Sequence, residues 1–237
     1  MITELDEIDM VTRGRAYLES LAGRRVAVVG LARSGVAASR LLTAAGAAVV
    51  GTDAKPLEAL GREAAQLAGI GVSLLTGGGP GRALEGAQLI VVSPGVPLDT
   101  PALAAARARG VPVIGELELG WRATEAETIA ITGTNGKTTT TALTGALLAG
   151  EPRPVLVAGN IGTPLAAHAL TFPADGLVVC EASSFQLETT DAFHPRVAAV
   201  LNLAPDHLDR HRTFAAYVDA KARILATASS DRVLPVL

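Results

Sequence analysis

Short runs of β-branched residues alternate along the chain with longer stretches in which alanine and leucine recur at helical spacing. The first three members of this series are the strand-like run Val26–Val29, the helix-like stretch Val36–Ala45 and the strand-like run Val49–Gly51. Strand, helix and strand in this order predict βαβ units, and their repetition predicts a parallel sheet with helices packed against it. We therefore expect an α/β fold throughout the chain.

A polar segment at 115–127, which holds the only tryptophan, Trp121, separates two such series. A new apolar strand, Thr128–Thr132, follows it. We place the domain boundary near Ala126, which gives an N-terminal domain at residues 1–126 and a second α/β domain at residues 127–237. A strand is predicted to begin within 229–237, so the second domain is expected to be incomplete.

The composition narrows the class of protein. A charged fraction of 18%, a net charge of -3 and an aromatic fraction of 3% provide neither the basic patch nor the stacking surface of a nucleic-acid-binding protein. No apolar run approaches the roughly 20 residues that span a bilayer, and the acidic start of the chain differs from a secretory signal. We expect a cytoplasmic, monomeric protein in which the single cysteine, Cys180, is a small buried hydrophobe.

The N-terminal domain has the pattern of a nucleotide-binding fold without a dinucleotide signature. The strand Arg25–Val29 leads into Gly30–Gly35, which reads GLARSG, and the next strand ends at Asp53, as in half of a Rossmann unit. Ala32 replaces the glycine that lets a pyrophosphate approach the backbone, which disfavours NAD and FAD. Asp53 fits either a ribose ligand or an ordinary solvated turn.

A later strand of this domain ends in Ser93, Pro94 and Gly95. Open α/β sheets bind ligands at the carboxyl ends of their strands, so these residues are candidates for substrate binding. A tight turn alone would also explain them.

The sequence ITGTNGKTTT, which starts at Ile131, predicts an ATP-binding phosphate loop. It follows an apolar strand and precedes a helix, although Ile131 replaces the first glycine of the standard motif. Backbone N–H groups would surround the phosphates, Lys137 would neutralise the β and γ oxygens, and the Thr138 hydroxyl would bind Mg²⁺. The residues predicted to contact ATP are Gly133, Thr134, Asn135, Gly136, Lys137, Thr138 and Thr139.

The next apolar strand of the second domain, Leu177–Cys180, is followed by Glu181. In a parallel sheet this carboxylate lies at the same edge as the phosphate loop, where it can bind a metal ion. The alternative is a position at the start of a helix, where acidic residues are also favoured.

The strand Val197–Asn202 brings several more polar side chains to that edge. They are Asp206, His207, Asp209 and His211. Some of them are expected to face metal-bound phosphate. For His211 we prefer a solvated position at a helix start, because the ligands of a structural zinc site are incomplete.

Lys221 is expected on the buried face of a helix. Its apolar neighbours at helical spacing are Phe214, Tyr217, Val218 and Leu225. Desolvation disfavours an ammonium in such a place. Three outcomes remain open: an ion pair with an acid such as Glu181, capture of CO₂ as a carbamate that ligates a metal, or extension of the side chain into solvent.

Along its whole length the sequence resembles the Mur ligase family. The motifs that carry the resemblance are GLARSG, TDAK at Thr52–Lys55, SPGVP, GTNGKTTT, GNIGTPL at Gly159–Leu165, EASSFQLE at Glu181–Glu188, NLAPDHLDRH and DAKARIL. The SSFQLE run is the most specific for the branch of the family that adds D-glutamate. The resemblance implies a Rossmann-like N-terminal domain followed by a P-loop central α/β domain, of which only part is present.

By resemblance, the N-terminal domain binds the UDP end of UDP-N-acetylmuramoyl-L-alanine, and the central domain binds ATP with two Mg²⁺ ions. The residues implied to bind the UDP substrate are Ser34, Asp53, Ser93, Pro94, Gly95, Asn160 and His207. The implied metal ligands are Thr138, Glu181, His207 and a carbamylated Lys221. The implied catalytic residues are Lys137, Glu181, His207 and Lys221.

The implied reaction forms an acyl phosphate that D-glutamate attacks, a step of peptidoglycan synthesis and so of cell-wall biogenesis, cell shape and division. Relatives carry a third, C-terminal domain with most of the D-glutamate site, so we expect a truncated form that binds substrate without full turnover. The alternatives are a non-catalytic nucleotide- or UDP-substrate-binding module, a folylpolyglutamate synthetase, which the N-terminal domain opposes, and an NAD-dependent dehydrogenase, which Ala32 opposes.

Overall fold

The computed structural model of the protein describes residues 12–225. Within this range the chain forms two compact units that divide between Val113 and Ile114. The division lies ahead of the boundary expected near Ala126, because residues 116–123 form a helix that packs within the second unit. The strand expected within 229–237 lies outside the described residues. None of the described helices is long and apolar enough to cross a membrane.

The first unit is built on a five-stranded sheet. Its strands are β1 (Arg25–Val29), β2 (Ala48–Asp53), β3 (Ser73–Thr76), β4 (Leu89–Val92) and β5 (Val113–Gly115), the last of which contains the division between the units. Its helices are α1 (Gly14–Ser20), α2 (Arg33–Ala44), α3 (Arg62–Gln66) and α4 (Pro101–Ala108), with short 3₁₀ turns at Leu57–Ala59, Leu67–Ile70 and Gly81–Leu84. The strand order is β3-β2-β1-β4-β5, and β1 to β4 run parallel.

The burial of β4 and α2 agrees with their places in the core of this unit. Every residue of β4 is buried, as expected for a parallel strand covered on both faces. Helix α2 directs Val36, Leu41 and Leu42 into the core, in agreement with its helical apolar spacing. The predicted α/β fold is confirmed for this unit.

The second unit contains a four-stranded parallel sheet in the order β7-β8-β6-β9. Its strands are β6 (Glu127–Thr132), β7 (Val155–Gly159), β8 (Leu177–Glu181) and β9 (Val197–Val200). Its helices are α5 (Glu116–Ala123), α6 (Lys137–Leu148), α7 (Ser184–Leu187), α8 (Leu208–His211) and α9 (Phe214–Ala222), with a 3₁₀ turn at Leu165–Ala167.

Three strands of this sheet end in register. Glu181 of β8 pairs with Ile131 of β6 on one side and with Gly159 of β7 on the other. A Cβ atom added to Gly159 would lie 2.3 Å from the Glu181 carbonyl oxygen, so this position accepts only glycine. The strand ends therefore meet at one edge of the sheet, as the alternating pattern predicts.

Helix α5 carries a buried ion pair. The Glu118 carboxylate accepts a hydrogen bond from Arg122 Nε at 2.6 Å, and both side chains are buried. It also accepts from the backbone N–H groups of residues 191, 192 and 193, at 2.9, 3.1 and 3.0 Å. Because a buried charge is tolerated only when its hydrogen-bonding capacity is filled, this carboxylate anchors the chain after α7 to α5.

Glu116, two residues before Glu118 at the start of α5, is buried with fewer partners. Its Oε1 accepts the Ala166 N–H at 2.8 Å, whereas its Oε2 has no hydrogen-bond partner among the described residues. Burial raises the pKa of Glu116 to about 7, although the N–H groups of Ala166 and Leu165 oppose this rise. A Cβ atom added to Gly120 would lie 2.7 Å from the Ala166 nitrogen, so α5 lies directly against this turn.

Replacement of Glu116 by glutamine should remove a pH dependence of stability. The folded-state pKa of about 7 exceeds the ordinary value of 4.5, so the folded protein holds this proton more tightly than the unfolded chain. Its stability therefore falls as the pH rises through 4.5 to 7 and levels off above 7. The free energy of unfolding of Glu116→Gln, measured with urea and taken relative to wild type, should increase by up to about 3 kcal/mol from pH 5 to pH 8. If the free energies of unfolding of the variant and the wild type differ by the same amount at both pH values, Glu116 does not titrate in this range.

Replacement of Arg122 by methionine should destabilise the second unit by about 3 kcal/mol or more, because it leaves the Glu118 charge buried without its counter-ion. Arg15→Met is the matched control, since Arg15 contacts Glu19 at 2.7 Å with the same four-residue spacing but in solvent. Thermal unfolding should show a lower midpoint for Arg122→Met and an unchanged one for Arg15→Met. Equal effects would mean that burial of the pair is unimportant.

Candidate functional site

The loop between β6 and α6 has the form of a phosphate-binding loop. Gly136 ends the loop with a φ of 81°, a left-handed conformation that favours glycine, and the helix begins at Lys137. Gly136 has no side chain with which to cap α6, so the positive end of the helix dipole is left for an anion.

The segment after β9 braces this loop. Thr134 N donates to Asn202 O at 3.0 Å, and Asn135 N donates to Asn202 Oδ1 at 2.9 Å. The Thr134 hydroxyl accepts from Ala204 N at 3.0 Å and lies 2.9 Å from the Tyr217 hydroxyl. Two of the predicted ATP-binding residues, Thr134 and Asn135, therefore use their N–H groups to hold the loop in shape.

The side chain of Lys137 folds back on the loop, where its Nζ donates to Thr134 O at 2.9 Å. This partner is a neutral carbonyl, and within residues 12–225 no carboxylate forms an ion pair with Lys137. An ammonium in this position beside a helix N-terminus favours binding of a polyanion such as a nucleotide phosphate.

Glu181 joins two loops at the mouth of the site. Its Oε2 accepts from the Thr138 hydroxyl at 2.8 Å, and its Oε1 accepts from Asn160 Nδ2 at 2.6 Å. The carboxylate is buried at 1% exposure, which makes both hydrogen bonds necessary to offset its desolvation. The structure thus brings together a predicted ATP-binding hydroxyl, a predicted metal ligand and a predicted substrate-binding amide.

Lys221 is buried on α9, as its position on the apolar stripe predicts, although Phe214 of that stripe is 39% exposed. Its Nζ donates to Gly133 O at 2.9 Å and to Thr132 Oγ1 at 3.3 Å, and lies over the Tyr217 ring. Burial, together with the nearby charge of Lys137, lowers the pKa of Lys221 to about 8, although the carboxylates of Asp206 and Glu181 oppose this decrease.

The structure decides among the arrangements considered for Lys221. Extension into solvent is wrong, because the side chain is 2% exposed. An ion pair with Glu181 is also absent from the described residues, since both hydrogen bonds of the ammonium go to neutral oxygens at the start of the phosphate loop. Helix α9 presents Lys221 to that loop rather than to the end of β8. Burial thus makes the Lys221 amine easier to deprotonate than an exposed lysine.

His207 lies at the start of α8 with a φ of 51°, which is uncommon for a residue other than glycine. Its N–H donates to Asp206 Oδ1 at 2.9 Å, and its Nε2 lies 3.5 Å from Asp206 Oδ2. The side chain is about half exposed, so one edge of the imidazole remains open to a ligand.

Within residues 12–225, no three His, Cys, Asp or Glu side chains are grouped as a metal site. The donor set of Thr138 and Glu181 nevertheless suits Mg²⁺, which prefers hard oxygen ligands and completes its shell with substrate phosphates and water. His207 and the amine of Lys221 are not gathered with them into a preformed cage.

His211 is not a solvated residue at a helix start, and that expectation is wrong. It is 6% exposed, and its Nε2 lies 3.0 Å from the Ser184 hydroxyl. Its Nδ1 lies 3.1 Å from Glu188 Oε1. Sequence reasoning missed these contacts because they join α7 and α8, which are more than twenty residues apart in the chain.

The candidate ligand site of the first unit lies where the strand order of its sheet reverses. β1 and β4 are neighbours, and β2 and β5 extend from them on opposite sides, which makes the gap after β1 and β4 the topological switch point. Gly30 follows β1, and its carbonyl accepts the buried hydroxyl of Ser93 after β4 at 2.8 Å. A Cβ atom on Gly30 would lie 2.9 Å from Ser93 Cβ, so the two loops are in direct contact.

Asp53 shapes the same edge from β2. Its Oδ2 accepts Leu31 N at 2.8 Å and its Oδ1 accepts Lys55 N at 2.9 Å, so both oxygens already serve to hold loops. This gives Asp53 a structural role that neither of the two sequence interpretations included.

The remaining predicted substrate residues of the first unit lie beside this gap. Ser34 is half-buried in the first turn of α2, and Pro94 and Gly95 form a turn closed by Val96 N donating to Ser93 O at 3.0 Å. The structure therefore brings all five predicted residues of this unit to the carboxyl edge of its sheet.

Two family models match the chain. The "Mur ligase MurD-like, N-terminal domain" matches residues 24–115, and the "Mur ligase middle domain" matches residues 131–236. The first match covers the switch-point site, and the second begins inside β6, just before the phosphate loop.

The chain is also similar to curated proteins. It is 49% identical over 214 residues to the UDP-N-acetylmuramoylalanine--D-glutamate ligase of Acidobacterium capsulatum, which covers 90% of this chain and 46% of that protein. It is 52% identical over 214 residues to the protein of the same name from Anaeromyxobacter dehalogenans, with the same coverage. The chain thus spans about half the length of the curated relatives it matches.

Among solved structures, the UDP-N-acetylmuramate:L-alanyl-gamma-D-glutamyl-meso-diaminopimelate ligase of Neisseria meningitides is similar with a TM-score of 0.58. The match has 21% identity over 90% of this chain and 71% of that one, and it supports the fold alone. The two family models together span the phosphate loop and the switch-point site described above. The chain belongs to the Mur ligase family, with a MurD-like N-terminal domain and a Mur ligase middle domain.

Proposed function

We propose that the chain contains the UDP-substrate-binding and ATP-binding parts of an enzyme that adds D-glutamate to UDP-N-acetylmuramoyl-L-alanine. The observation that carries this proposal is the Glu181 carboxylate, bonded to Thr138 of the phosphate loop and to Asn160 of the next strand end. The names of the curated relatives supply the substrates. Such substrates are cytoplasmic metabolites, so we expect the protein in the cytoplasm and its reaction in peptidoglycan synthesis.

The proposed chemistry has two transfers. A carboxylate oxygen of the UDP-linked substrate bonds to the γ-phosphorus of ATP while the bond from that phosphorus to ADP breaks, which gives an acyl phosphate. The amine of D-glutamate then bonds to the acyl carbon, inorganic phosphate leaves, and the amine nitrogen loses a proton. Phosphoryl transfer of this kind depends mainly on positioning and on neutralisation of charge.

The residues of the second unit suit the first transfer. Lys137, which forms no ion pair with a carboxylate among residues 12–225, would neutralise phosphate oxygens. The N–H groups at the start of α6, together with the helix dipole, would hold the phosphates. Asn160, whose amide already contacts Glu181, would orient the acyl part of the substrate. His207, open on one edge, would face the same phosphates.

Two Mg²⁺ ions would be bound on the donor sets already described. Thr138 and Glu181 suit the first, and His207 with a carbamylated Lys221 suits the second. Bound Mg²⁺ would supply charge neutralisation for the transferring phosphoryl group. The buried, easily deprotonated amine of Lys221 supports the carbamate, which forms when the amine nitrogen bonds to CO₂ and releases a proton.

The switch-point site of the first unit would bind the UDP end. Ser34 at the start of α2 and the turn at Pro94 and Gly95 border the gap between the loops after β1 and β4. Asp53 and Ser93 would act by fixing those loops, since their polar atoms already bond to the backbone.

Calorimetric titration with two isosteric variants should separate the two binding functions. Thr138→Val removes a hydroxyl from the proposed metal site and should weaken Mg·ATP binding about tenfold without changing the affinity for UDP-N-acetylmuramoyl-L-alanine. Ser93→Ala should weaken binding of UDP-N-acetylmuramoyl-L-alanine and leave the affinity for Mg·ATP unchanged, because the Ser93 hydroxyl holds the loops of the first unit. Thr140→Val, on the same helix as Thr138, is the control and should change neither affinity. Failure of the wild-type protein to bind either ligand would refute the proposal.

Carbamylation of Lys221 should be visible by ¹³C NMR in ¹³C-bicarbonate at pH 8. Burial keeps a fraction of this amine neutral near that pH, and only the neutral amine reacts with CO₂. We expect one carbamate signal in the wild-type protein, its loss in Lys221→Arg, and its retention in Lys55→Arg, which removes an exposed lysine. A signal that survives Lys221→Arg would assign the carbamate elsewhere.

A further inference from the structure

His211 connects the two segments that carry Glu181 and His207. Ser184 lies three residues after Glu181 at the start of α7, and His211 lies four residues after His207 at the end of α8. The Ser184 hydroxyl and His211 Nε2 are 3.0 Å apart. One buried contact therefore ties the end of β8 to the segment that follows β9.

The opposite side of the His211 ring is also bonded. Its Nδ1 lies 3.1 Å from Glu188 Oε1, and the second oxygen of that carboxylate accepts from Arg210 Nη2 at 3.0 Å. Burial lowers the pKa of His211, in agreement with a neutral ring that has one donor and one acceptor. Both nitrogens thus have fixed partners, Ser184 at the start of α7 and Glu188 directly after its end.

Phe185 completes this contact between α7 and α8. Its ring centroid lies 4.8 Å from that of His207 and 5.5 Å from that of His211, so it packs against both imidazoles. The Arg210 guanidinium lies over the same ring at 5.6 Å. Movement of His211 would therefore be transmitted to His207 through Phe185.

Helix α8 depends on these side chains because its own backbone gives it little support. It has only four residues, and the non-glycine residues at its two ends, His207 and Arg212, have φ values of 51° and 67°. Such values are uncommon for residues other than glycine and persist where the surroundings impose them.

We infer that His211 is a positioning residue: by locking α8 onto α7 through Ser184, Glu188 and Phe185, it fixes His207 relative to Glu181. This inference rests on the proposed function, in which Glu181 and His207 act on the same metal-bound phosphates. Because both nitrogens of His211 already contact Ser184 and Glu188, its role in this arrangement is positioning and not ligand binding.

The test measures Mn²⁺ affinity by EPR, in the presence of ATP and UDP-N-acetylmuramoyl-L-alanine, together with the thermal midpoint of each variant. His211→Ala should weaken Mn²⁺ binding about tenfold, as loss of a group that orients a ligand does. His211→Gln, which retains a hydrogen-bonding partner for Ser184, should lose less Mn²⁺ affinity than His211→Ala. His194→Ala, at an exposed histidine, is the matched control and should bind Mn²⁺ normally.

A double-mutant cycle separates positioning from general destabilisation. If His211 acts through His207, then His207→Ala and the double variant His207→Ala/His211→Ala should bind Mn²⁺ within about twofold of each other. The inference would be overturned if His211→Ala reduced Mn²⁺ affinity as much in the His207→Ala background as in the wild-type protein. It would also be overturned if His211→Ala lowered the thermal midpoint and left Mn²⁺ affinity unchanged.

A second readout does not require ligands. In ¹H–¹⁵N spectra of the imidazoles, the His207 resonance should shift in His211→Ala and Ser184→Ala and should stay in place in His194→Ala. A wild-type protein that binds no Mn²⁺ would contradict the proposed function alone. An unmoved His207 resonance would contradict the positioning role.

Discussion

The buried carboxylate of Glu181 is the group on which the arrangement of the proposed site in the second unit depends. The parallel register of β6, β7 and β8 fixes where it lies, because all three strands end beside it. Desolvation makes its two donors, Thr138 and Asn160, necessary, and these donors come from two different loops. The sheet geometry and the cost of burying one charge thus bring the phosphate loop and the loop after β7 together.

Perturbed ionisation alone does not identify a functional group in this protein. Glu116 and Lys221 are both buried, and in both the pKa moves toward the neutral form because of desolvation. Glu116 contacts the backbone of a 3₁₀ turn within the core, whereas Lys221 contacts the carbonyl of Gly133 in the phosphate loop. The neighbours of each group, rather than the size of its pKa shift, separate the structural position of Glu116 from the metal-binding role proposed for Lys221.

Much of the fold follows from short-range patterns. The alternation of strands and helices predicts both parallel sheets, and parallel strands that end together predict that Thr138 and Glu181 meet. The sequence does not reveal the contacts between residues that are far apart in the chain. In each of them a side chain bonds either to a backbone group or to another side chain. Asn202 bracing the loop, Asp53 holding Leu31 and His211 bonding to Ser184 are examples. Their partners depend on loop paths, which no local periodicity encodes.

The left-handed backbone at both ends of α8 has a consequence for how this segment can change. A non-glycine residue in that conformation costs of order 1 kcal/mol, so glycine would stabilise the backbone at either His207 or Arg212. At position 207 the same replacement would remove the imidazole that packs against the Phe185 ring. Backbone stability and the proposed metal-binding role therefore make opposite demands on position 207, where glycine would suit the backbone and histidine supplies the proposed ligand.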